Sequence, residues 1–510
     1  MERELKFELS ADQAGRVRDL PLLLSMQGGQ RREAALKSQY FDTPELDLRR
    51  RNASLRVRND GDHLVQTLKS VGERGAGMFQ REEYESPVAG WQPDTMKLHE
   101  LVPKGACVRG IFDADGLDQR LAPVFSADIS RTVVPLKLPE GDEIELAIDR
   151  GVVSAGEASQ PLLEFEMELK EGDPAHLYAL AAQILQVVPL RLSFMSKGDR
   201  GYGLLVCEKP AAVRASPLEL KRKDSVEAAF RNIAQNCLAQ IHGNEAAVAS
   251  GHSAEGVHQM RVGLRRLRSA LNMFSPVLTC PDALQDEIQW IAGELGESRD
   301  WEVLAHSTLA QIAAEESTQA DLDRVRQRAQ DIATQRRQAA AEAISSTRYA
   351  KLAIELNRWV ASAAWRNEQE PSKADALASP VTGFARDTLR KRHRKLVRRG
   401  RGLHKLDAQH RHRARIAAKK LRYATEFFAS LVPQKALRGY HKALSRLQDD
   451  LGWGNDIAVA DGLLSKLQHR HEAVAAGAAY ARGYLAALRE ADRPRQKQLW
   501  KGFRRVERPR

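Results

Sequence analysis

The octapeptide Glu-Arg-Glu-Leu-Lys-Phe-Glu-Leu at residues 2–9 alternates charged and apolar side chains. Successive side chains of a β-strand point to opposite faces. One face would therefore carry the charged residues at positions 2, 4, 6 and 8, and the other face would carry Arg3 and three apolar residues. The pattern predicts a strand that holds both signs of charge on one face.

Further strands with the same property follow in the first 203 residues. We predict strands at 54–58, 64–69, 79–85, 125–134, 143–153 and 162–170, with few helices, and hence an antiparallel β domain. The charged positions on shared strand faces are Arg56, Arg58, Lys69, Arg81, Glu83, Glu85, Glu143, Glu145, Asp149, Glu164, Glu166, Glu168 and Lys170. For a single strand, a sheet with a solvated outer face explains such a pattern. For six strands in a closing sheet, the pattern favours a charged tunnel.

The presence of both signs of charge in one tunnel indicates a specific kind of ligand. Carboxylates are the ligands that hard cations such as Mg²⁺ and Mn²⁺ prefer. Lys and Arg suit phosphate oxygens, and Arg can bind them through two parallel hydrogen bonds. We therefore expect a phosphate-rich polyanion with divalent metal in the tunnel.

The motif Glu2-x-Glu4-x-Lys6 resembles the signature of the CYTH superfamily, the triphosphate tunnel metalloenzymes. The resemblance extends, in family order, to the segments at 40–44 (Tyr-Phe-Asp-Thr-Pro), 55–58, 81–85, 164–170 and 196–202. It implies an eight-stranded antiparallel β-barrel open at both ends. It also implies that triphosphates are hydrolysed or rearranged with the help of Mg²⁺ or Mn²⁺.

The resemblance also implies roles for single residues. Metal ligands are expected at Glu2, Glu4, Glu166 and Glu168. Phosphate-binding residues are expected at Lys6, Arg56, Arg58, Lys69, Arg81, Arg131, Lys197 and Arg200. Catalytic roles fall to Lys6, Glu83 and Glu85, where the two carboxylates would bind a second metal or orient the attacking water, with Asp149 as a further helper.

The second part of the chain is predicted to be all-α, after a linker at 204–217 that contains Pro210 and Pro217. The helical domain at 218–505 divides into two repeats at about 218–366 and 381–505. His258-x-x-Arg261-x-x-x-Arg265-Arg266-Leu267-Arg268 recurs as His412-x-x-Arg415-x-x-x-Lys419-Lys420-Leu421-Arg422, 154 residues later. Such a repeat predicts duplicated four-helix units with twin basic helices.

These repeats resemble the CHAD domain, which implies binding of inorganic polyphosphate. The expected binding residues are His258, Arg261, Arg265, Arg266, Arg268, His412, Arg415, Lys419, Lys420 and Arg422. Charge supports a polyanionic partner, because 386–422 hold 16 Lys and Arg against two Asp. Nucleic acid is a poorer fit, since aromatic residues make up only 6% of the chain and none interleaves the basic faces.

The expected protein is therefore a multi-domain α+β chain, with a tunnel at 1–203 and a duplicated helical domain. We expect it to hydrolyse inorganic triphosphate to diphosphate and phosphate, and to bind polyphosphate. The alternatives are a non-enzymatic polyphosphate-binding or targeting protein, and a nucleotide enzyme on the same barrel, such as an adenylate cyclase or a thiamine triphosphatase. No apolar run long enough for a membrane span, no signal peptide and four scattered cysteines predict a cytoplasmic location.

Overall fold

The computed structural model describes residues 2–59, 61, 63–71, 79–106, 108–113, 116–206, 210–367, 371–491 and 493–507. They form two compact units. The first contains Met1–Ala211 and Ile344–Ala364, and the second contains Ala212–Ala343 and Trp365–Arg510. The first unit thus includes a segment from the middle of the helical region, which the sequence analysis did not anticipate.

The first unit holds all the strands of the described residues. They are β1 (Glu2–Glu8), β2 (Arg32–Asp42), β3 (Ala53–Asn59), β4 (Leu64–Val71), β5 (Phe79–Val88), β6 (Ala122–Lys137), β7 (Glu143–Ala155), β8 (Ala158–Glu171) and β9 (Arg191–Leu192). The predicted strands are confirmed, although the sequence analysis missed most of β2. The helices between its strands and directly after them are α1 (Ala11–Arg18), α2 (Pro21–Ser25), α3 (Asp47–Arg50), α4 (Thr95–Leu101), α5 (Arg109–Phe112), α6 (Leu117–Arg120), α7 (Pro174–Val187) and α8 (Lys197–Leu205).

The remaining helices lie in the rest of the chain. They are α9 (Val226–His242), α10 (Glu245–Ala249), α11 (Ala254–Phe274), α12 (Asp282–Val303), α13 (Glu316–Ile344), α14 (Thr347–Ala361), α15 (Pro371–Ala378), α16 (Val381–Arg399), α17 (Ala408–Phe427), α18 (Gln434–Arg470), α19 (Ala475–Ala491) and α20 (Arg493–Arg505). Within the described ranges, no helix combines the length and the apolar composition needed to cross a bilayer.

The described strands form one antiparallel sheet in the order β5-β4-β3-β2-β6-β7-β8-β1-β9, and β1 also pairs with β5. Strand β1 pairs with β8 over five residue pairs and with β5 over three. The sheet therefore curls into a tunnel-like fold, and the word barrel describes it loosely.

The outer face of the sheet is apolar and covered. Leu55, Val57 and Leu68 point away from the charged face and form a buried cluster with side chains of α3 to α6. Leu5, Phe7 and other outward residues of β1 and β8 are equally buried. The strands therefore bury their apolar faces outward under helices, which leaves the charged faces inside.

Part of the interior is apolar and filled by α8. Phe125 lies on the same face of β6 as Arg131, and its ring packs between the rings of Tyr40 and Tyr202. A Cβ atom at Gly201 would lie 2.1 Å from Phe125 Cδ2, so only glycine allows this approach. The resemblance implied a barrel open at both ends, whereas α8 packs into the interior of this one.

Helix α14 belongs to the first unit although it follows α13 in the chain. It packs against α7 and β9, and β9 in turn pairs with β1 at Phe7 and Glu8. Its buried side chains include Leu352, Leu356 and Trp359. The helix thus helps to cover the apolar side of the strand that carries Glu4 and Lys6.

The second unit repeats one helical arrangement. Helix α9 packs on α11 and α11 on α12, and in the later repeat α16 packs on α17 and α17 on α18. One core cluster contains Trp301 and Leu322 from the earlier repeat together with Ile457 and Leu464 from the later one. The two repeats therefore share a core and are not separate bundles.

Candidate functional site

The tunnel interior contains a charged cavity of about 160 Å³. Its walls come from the eight strands β1 to β8 and from the start of α8. The lining residues are Glu4, Lys6, Tyr40, Ser54, Arg56, Arg58, Thr67, Lys69, Glu83, Glu85, Arg131, Glu145, Glu166, Glu168, Lys170, Ser196, Lys197 and Gly198. Seven basic and six acidic residues therefore share one cavity.

Lys6 connects β1 with β8 inside the cavity. The two strands pair so that Lys6 lies opposite Glu166 and Glu4 lies opposite Glu168. The Lys6 ammonium contacts the Glu166 carboxylate and lies 3.1 Å from Glu4 Oε1. Burial alone would lower the pKa of Lys6, but Glu166 and Glu4 outweigh it and raise that pKa.

Lys197 lies among three buried carboxylates. Its Nζ atom is 2.6 Å from Asp149, 2.5 Å from Glu164 and 2.9 Å from Glu166. Oxygen atoms of the three carboxylates lie within 4.8 Å of one another, which is the spacing of a possible metal site. The ammonium group of Lys197 thus supplies the positive charge at this cluster.

Arg131 completes the buried network. It forms two parallel hydrogen bonds with Asp149, at 2.7 and 2.6 Å, and a third with Glu166 at 2.6 Å. The sequence analysis did not predict this ion pair between Arg131 and Asp149. These three charge-assisted hydrogen bonds to two carboxylates make Arg131 a rigid part of the wall.

The pKa values of the network follow from these contacts. Burial opposes ionisation of Glu166, but Lys197, Lys6 and Arg131 overcome it and hold its pKa well below the usual range. At Glu164 burial prevails and raises the pKa, even though Lys197 opposes it. Burial also opposes the charged form of Lys197, and Asp149 and Glu164 outweigh it, so its pKa is raised well above normal.

The opposite wall, on β3 to β5, is richer in cations. Lys69 Nζ lies 3.2 Å from Glu83 and Arg56 lies 4.0 Å from the same carboxylate. Thr67 donates a hydrogen bond to Glu85 over 2.7 Å. Arg56 Nε is buried and has no hydrogen-bond partner among the described residues, so it can still bind an oxygen of a ligand.

The donor set fits a divalent cation. Glu4 Oε1 is buried, and although the Lys6 ammonium lies 3.1 Å away, no well-aligned hydrogen bond from the described residues reaches it. Glu4 and Glu168 face each other across paired strands, and both line the cavity beside Glu166. Carboxylate oxygens are the ligands that Mg²⁺ and Mn²⁺ prefer, and buried carboxylate oxygens without well-aligned hydrogen bonds favour such an ion.

Most of the predicted tunnel residues come together in the cavity. Arg200 does not line it, because its guanidinium contacts Glu8 at 3.1 Å and Ser193. The side chains of Glu2 and Arg81 lie outside the described residues. The lining residues that the sequence analysis did not name as site residues are Tyr40, Ser54, Thr67, Glu145, Lys170, Ser196 and Gly198.

Strand alternation already placed Glu145 and Lys170 on the charged faces without giving them a role, and it also places Thr67 there. Thr67 and Glu145 share strand faces with Lys69 and Asp149. Ser196 and Gly198 could not be found in this way, because no alternation predicts that the start of α8 enters the cavity.

The Tyr-Phe-Asp-Thr-Pro motif at 40–44 positions α8. The buried Asp42 carboxylate accepts hydrogen bonds from the backbone N–H groups of Leu48 and Arg49, and from the hydroxyl of Tyr202. Arg49 also contacts Asp199 of α8 at 2.9 Å. This motif therefore holds α8, and with it Lys197, in place.

A second charged cluster lies in the helical unit. Arg261 of α11 is 3.9 Å from Asp300, and its counterpart Arg415 of α17 is 3.8 Å from Asp456. Arg265 donates a hydrogen bond over 2.5 Å to the hydroxyl of Tyr423. The Arg–Asp contact thus recurs in both halves of the repeated motif, and Arg265 links the two halves through Tyr423.

Cations outweigh anions in this helical cluster. Burial and the charges of Arg265, Arg415 and Arg261 lower the pKa of Lys419 to about 7. Burial also lowers the pKa of Arg261 and of Arg415, again with help from neighbouring arginines. Surplus positive charge is the physical signature of a site for a polyanion.

The other predicted residues of the motif lie apart from this cluster or at its edge. Arg266 is buried and donates to Gln240 and Asn236, so it holds α11 against α9. Arg422 pairs with Glu426 at 2.7 Å on its own helix. Burial and Arg299 lower the pKa of His258.

The remaining three residues of the motif are more open. His412 is exposed and contacts Asn455 at 3.3 Å. Arg268 is exposed, and Lys420 is half-buried with its Nζ atom 2.9 Å from Asn272. The helical period correctly placed Arg261, Arg265, Arg415 and Lys419 on a common face.

Comparison with known proteins identifies a CYTH domain at residues 1–202 and a CHAD domain at residues 232–465. An inorganic triphosphatase of Haemophilus influenzae is 32% identical over 168 residues, which are 33% of this chain and 45% of that protein. An uncharacterized protein of Mycobacterium tuberculosis is 26% identical over 366 residues, which are 68% of this chain and 66% of that protein. The chain thus spans less than half the length of the triphosphatase.

The helical part also matches a solved structure. The crystal structure of the CHAD domain from the plant Ricinus communis is 40% identical, with a TM-score of 0.53. The match covers 59% of this chain and 99% of the plant domain. The resemblances inferred from the motifs are confirmed, because the chain contains a CYTH domain in its first part and a CHAD domain in its second.

Proposed function

We propose that the tunnel cavity hydrolyses inorganic triphosphate to diphosphate and phosphate, and that the helical unit binds inorganic polyphosphate. The observation that carries the proposal is the cavity in which seven basic and six acidic residues face each other. The cations suit the phosphate oxygens, and the carboxylates suit a metal that accompanies them. The similarity to a protein named inorganic triphosphatase supports this substrate class.

Glu4, Glu166 and Glu168 would hold the divalent cation, Mg²⁺ or Mn²⁺. When bound, it would neutralise phosphate oxygens and stabilise the charge that develops on the leaving group. Lys6 contacts both Glu4 and Glu166 and therefore keeps these carboxylates in place. Glu2 belongs to the same proposed set by its place in the sequence motif.

The wall of β3 and β4 would bind the phosphate chain. Arg56, Arg58 and Lys69 line this side of the cavity, and Arg56 Nε is buried without a hydrogen-bond partner in the described part of the chain. Basic side chains on one wall and carboxylates on the other would stretch a linear triphosphate between them. Lys197 and Arg131 remain bound to buried carboxylates and would shape the wall between the two.

Hydrolysis needs a positioned water molecule. Glu83 and Glu85 line the cavity beside Lys69 and Thr67, and would orient this water toward a terminal phosphorus. The water oxygen forms a bond to that phosphorus, the bond to the bridging oxygen breaks, and diphosphate leaves with the electron pair. The proton of the water passes to the carboxylate and then to solvent.

A substrate panel tests the proposal. Triphosphate, long polyphosphate, ATP and thiamine triphosphate are each incubated with the full chain and with Mg²⁺ or Mn²⁺, and phosphate release is measured. We expect triphosphate to be hydrolysed with the highest kcat/KM. Faster turnover of ATP or thiamine triphosphate would indicate a nucleotide-type enzyme, and no turnover with retained polyphosphate binding would indicate a non-enzymatic binding protein.

A further inference from the structure

Three buried carboxylates beside the start of α8 form a cluster, which we call the inner triad. Asp149 and Glu164 are fully buried and lie opposite each other on the paired strands β7 and β8. Glu166, the third member, follows Glu164 on the same face of β8. Oxygen atoms of the three groups lie within 4.8 Å of one another, so they are close enough to share one cation.

The inner triad already contains a cation. The Lys197 ammonium lies 2.6 Å from Asp149, 2.5 Å from Glu164 and 2.9 Å from Glu166. It therefore reaches every member of the triad at the distance of a charge-assisted hydrogen bond. Lys197 is also the first residue of α8, so the positive end of the helix dipole lies at the same place.

The charges of the inner triad balance without a metal ion. Besides Lys197, two further cations contact the triad, because Lys6 contacts Glu166 and Arg131 contacts both Asp149 and Glu166. Both oxygens of Glu166 are engaged, Oε1 by the two lysines and Oε2 by Arg131. Buried charges are tolerated when they are compensated, so a divalent cation added to these three cations would leave surplus positive charge.

Glu4 and Glu168 lie farther along the strands. Glu168 is four residues beyond Glu164 on β8, which corresponds to about 13 Å along a strand. Side chains of a strand stand roughly perpendicular to the sheet and keep this separation, so Glu164 and Glu168 cannot bind the same ion. Glu4 faces Glu168 across the pairing of β1 with β8. The wall therefore offers two separate places for a cation.

We propose that Lys197 is a built-in cation of the tunnel, which takes the place of a metal ion at the inner triad and confines the divalent cation to Glu4 and Glu168. This inference rests on the proposed metal site and narrows it. Lys197 acts as a positioning residue, because it holds Glu166 and leaves the phosphate oxygens to the wall of β3 and β4. The sequence resemblance implied a different role for Lys197, that of a phosphate-binding residue.

The first experiment counts metal ions in variants of the full chain, without phosphate. Lys197→Ala removes the ammonium and opens space at the inner triad, whereas Lys197→Met removes the charge but keeps most of the volume. Lys69→Ala is the matched control, because Lys69 lines the same cavity but lies near Glu83, at 3.2 Å, on the other wall. Electron paramagnetic resonance counts bound Mn²⁺, and circular dichroism verifies that each variant is folded.

We expect Lys197→Ala to bind about one Mn²⁺ ion more per chain than the wild type, because three buried carboxylates without their ammonium form a divalent site. Lys197→Met and Lys69→Ala should keep the wild-type number. Mn²⁺ should also raise the denaturation midpoint of Lys197→Ala more than that of the wild type, since an ion that binds only the folded chain stabilises it. A folded Lys197→Ala variant with neither change would overturn the inference.

A second experiment leaves Lys197 in place and holds even if Lys197→Ala does not fold. Glu4→Gln changes the proposed metal site, and Asp149→Asn changes the inner triad. We expect Glu4→Gln to weaken Mn²⁺ binding by at least about tenfold, and Asp149→Asn to bind Mn²⁺ like the wild type. Equal losses, or a larger loss in Asp149→Asn, would place the metal at the inner triad and overturn the inference.

Failure of the proposed function would appear differently. A wild-type chain that binds Mn²⁺ through Glu4 but releases no phosphate from triphosphate would refute the hydrolysis and leave the role of Lys197 intact.

Discussion

Lys197 in the tunnel is buried, and Lys419 in the helical cluster is half-buried. Both have several charged neighbours, yet their pKa values are shifted in opposite directions. Burial works against the charged form of both. Asp149, Glu164 and Glu166 outweigh it at Lys197 and raise the pKa well above normal. At Lys419 three arginines add to burial and lower the pKa to about 7.

The difference separates two ways of binding phosphate. The tunnel balances its cations with its own carboxylates, so its geometry is complete before substrate arrives and suits chemistry that needs fixed positions. The helical cluster keeps an excess of positive charge that only a ligand can balance. Preorganisation is expected where bonds break, and surplus charge where a polymer is held.

The largest expected effect tests the balanced network of the tunnel. Glu166→Gln removes the carboxylate shared by Lys6, Lys197 and Arg131, which leaves buried positive charge uncompensated. We expect the free energy of unfolding of the first unit to fall by about 3–5 kcal/mol in denaturant titrations.

The pH dependence of Glu166→Gln gives a second readout. Because the folded pKa of Glu166 is depressed, its stabilising contribution is complete above the ordinary Glu pKa of about 4.3 and is lost as the pH falls further. The difference in free energy of unfolding between the wild type and Glu166→Gln should therefore shrink as the pH falls below that value. Glu143→Gln on the exposed start of β7 is the control, and equal stability of both variants at neutral pH would show that the network is not balanced by Glu166.

The next effect concerns catalysis in the tunnel. Glu4→Ala should lower the rate of triphosphate hydrolysis by about 10²–10³-fold while the protein stays folded, because a charged group that stabilises the transition state is lost. Phosphate release and circular dichroism measure the two properties. Glu143→Ala should keep the wild-type rate. Unchanged turnover in Glu4→Ala would remove the catalytic role of the β1 carboxylates.

The helical cluster should respond independently of the tunnel. Replacing Arg261, Arg265, Arg415 and Lys419 by Ala should weaken polyphosphate binding about a hundredfold, because charge-assisted contacts with phosphate are lost. The same variant should hydrolyse triphosphate at the wild-type rate. As a control, Lys435, Arg438, Lys442 and Lys466 are changed to Ala, which removes the same number of basic residues from α18. An equal loss of polyphosphate affinity in the two variants would mean that net charge alone accounts for polyphosphate binding.

The smallest effect is a pH dependence that only the cluster should show. Free Lys419 loses its proton near pH 7, and a bound polyanion would favour the charged form. Polyphosphate affinity should therefore fall roughly ten- to thirtyfold between pH 6 and pH 8.5, and proton uptake on binding should rise from near zero at pH 6 to about one proton at pH 8.5. Isothermal titration calorimetry in two buffers measures both quantities. Lys419→Arg should abolish the pH dependence, and a pH-independent wild type would place Lys419 outside the binding site.

Strand alternation and motif order predicted much of the tunnel. The period of two showed which side chains share a face, so Glu4, Lys6 and Arg56 were correctly expected inside one cavity. It could not show which charges touch, because cross-strand partners depend on register. The three contacts of Lys197 with Asp149, Glu164 and Glu166 required the fold of α8 into the interior.

Helical spacing was similarly informative and similarly limited. It placed Arg261 and Arg265 on one face, but it could not distinguish Arg265, which reaches Tyr423, from the adjacent Arg266, which is buried against Gln240 and Asn236. Neighbours in sequence lie about 100° apart on a helix, and the packing partner decides which of them is buried.

By itself, the sequence determined the inward-facing charges of the strands, the duplication of the basic motif and the surplus of positive charge in the later repeat. These features depend on residue type and local period, which the backbone geometry converts directly into faces. Only the tertiary structure decided that α14, which lies between the two repeats, packs on α7 beside β1 in the first unit. The apolar face of a helix does not specify which element it packs against, so long-range packing decides its partner.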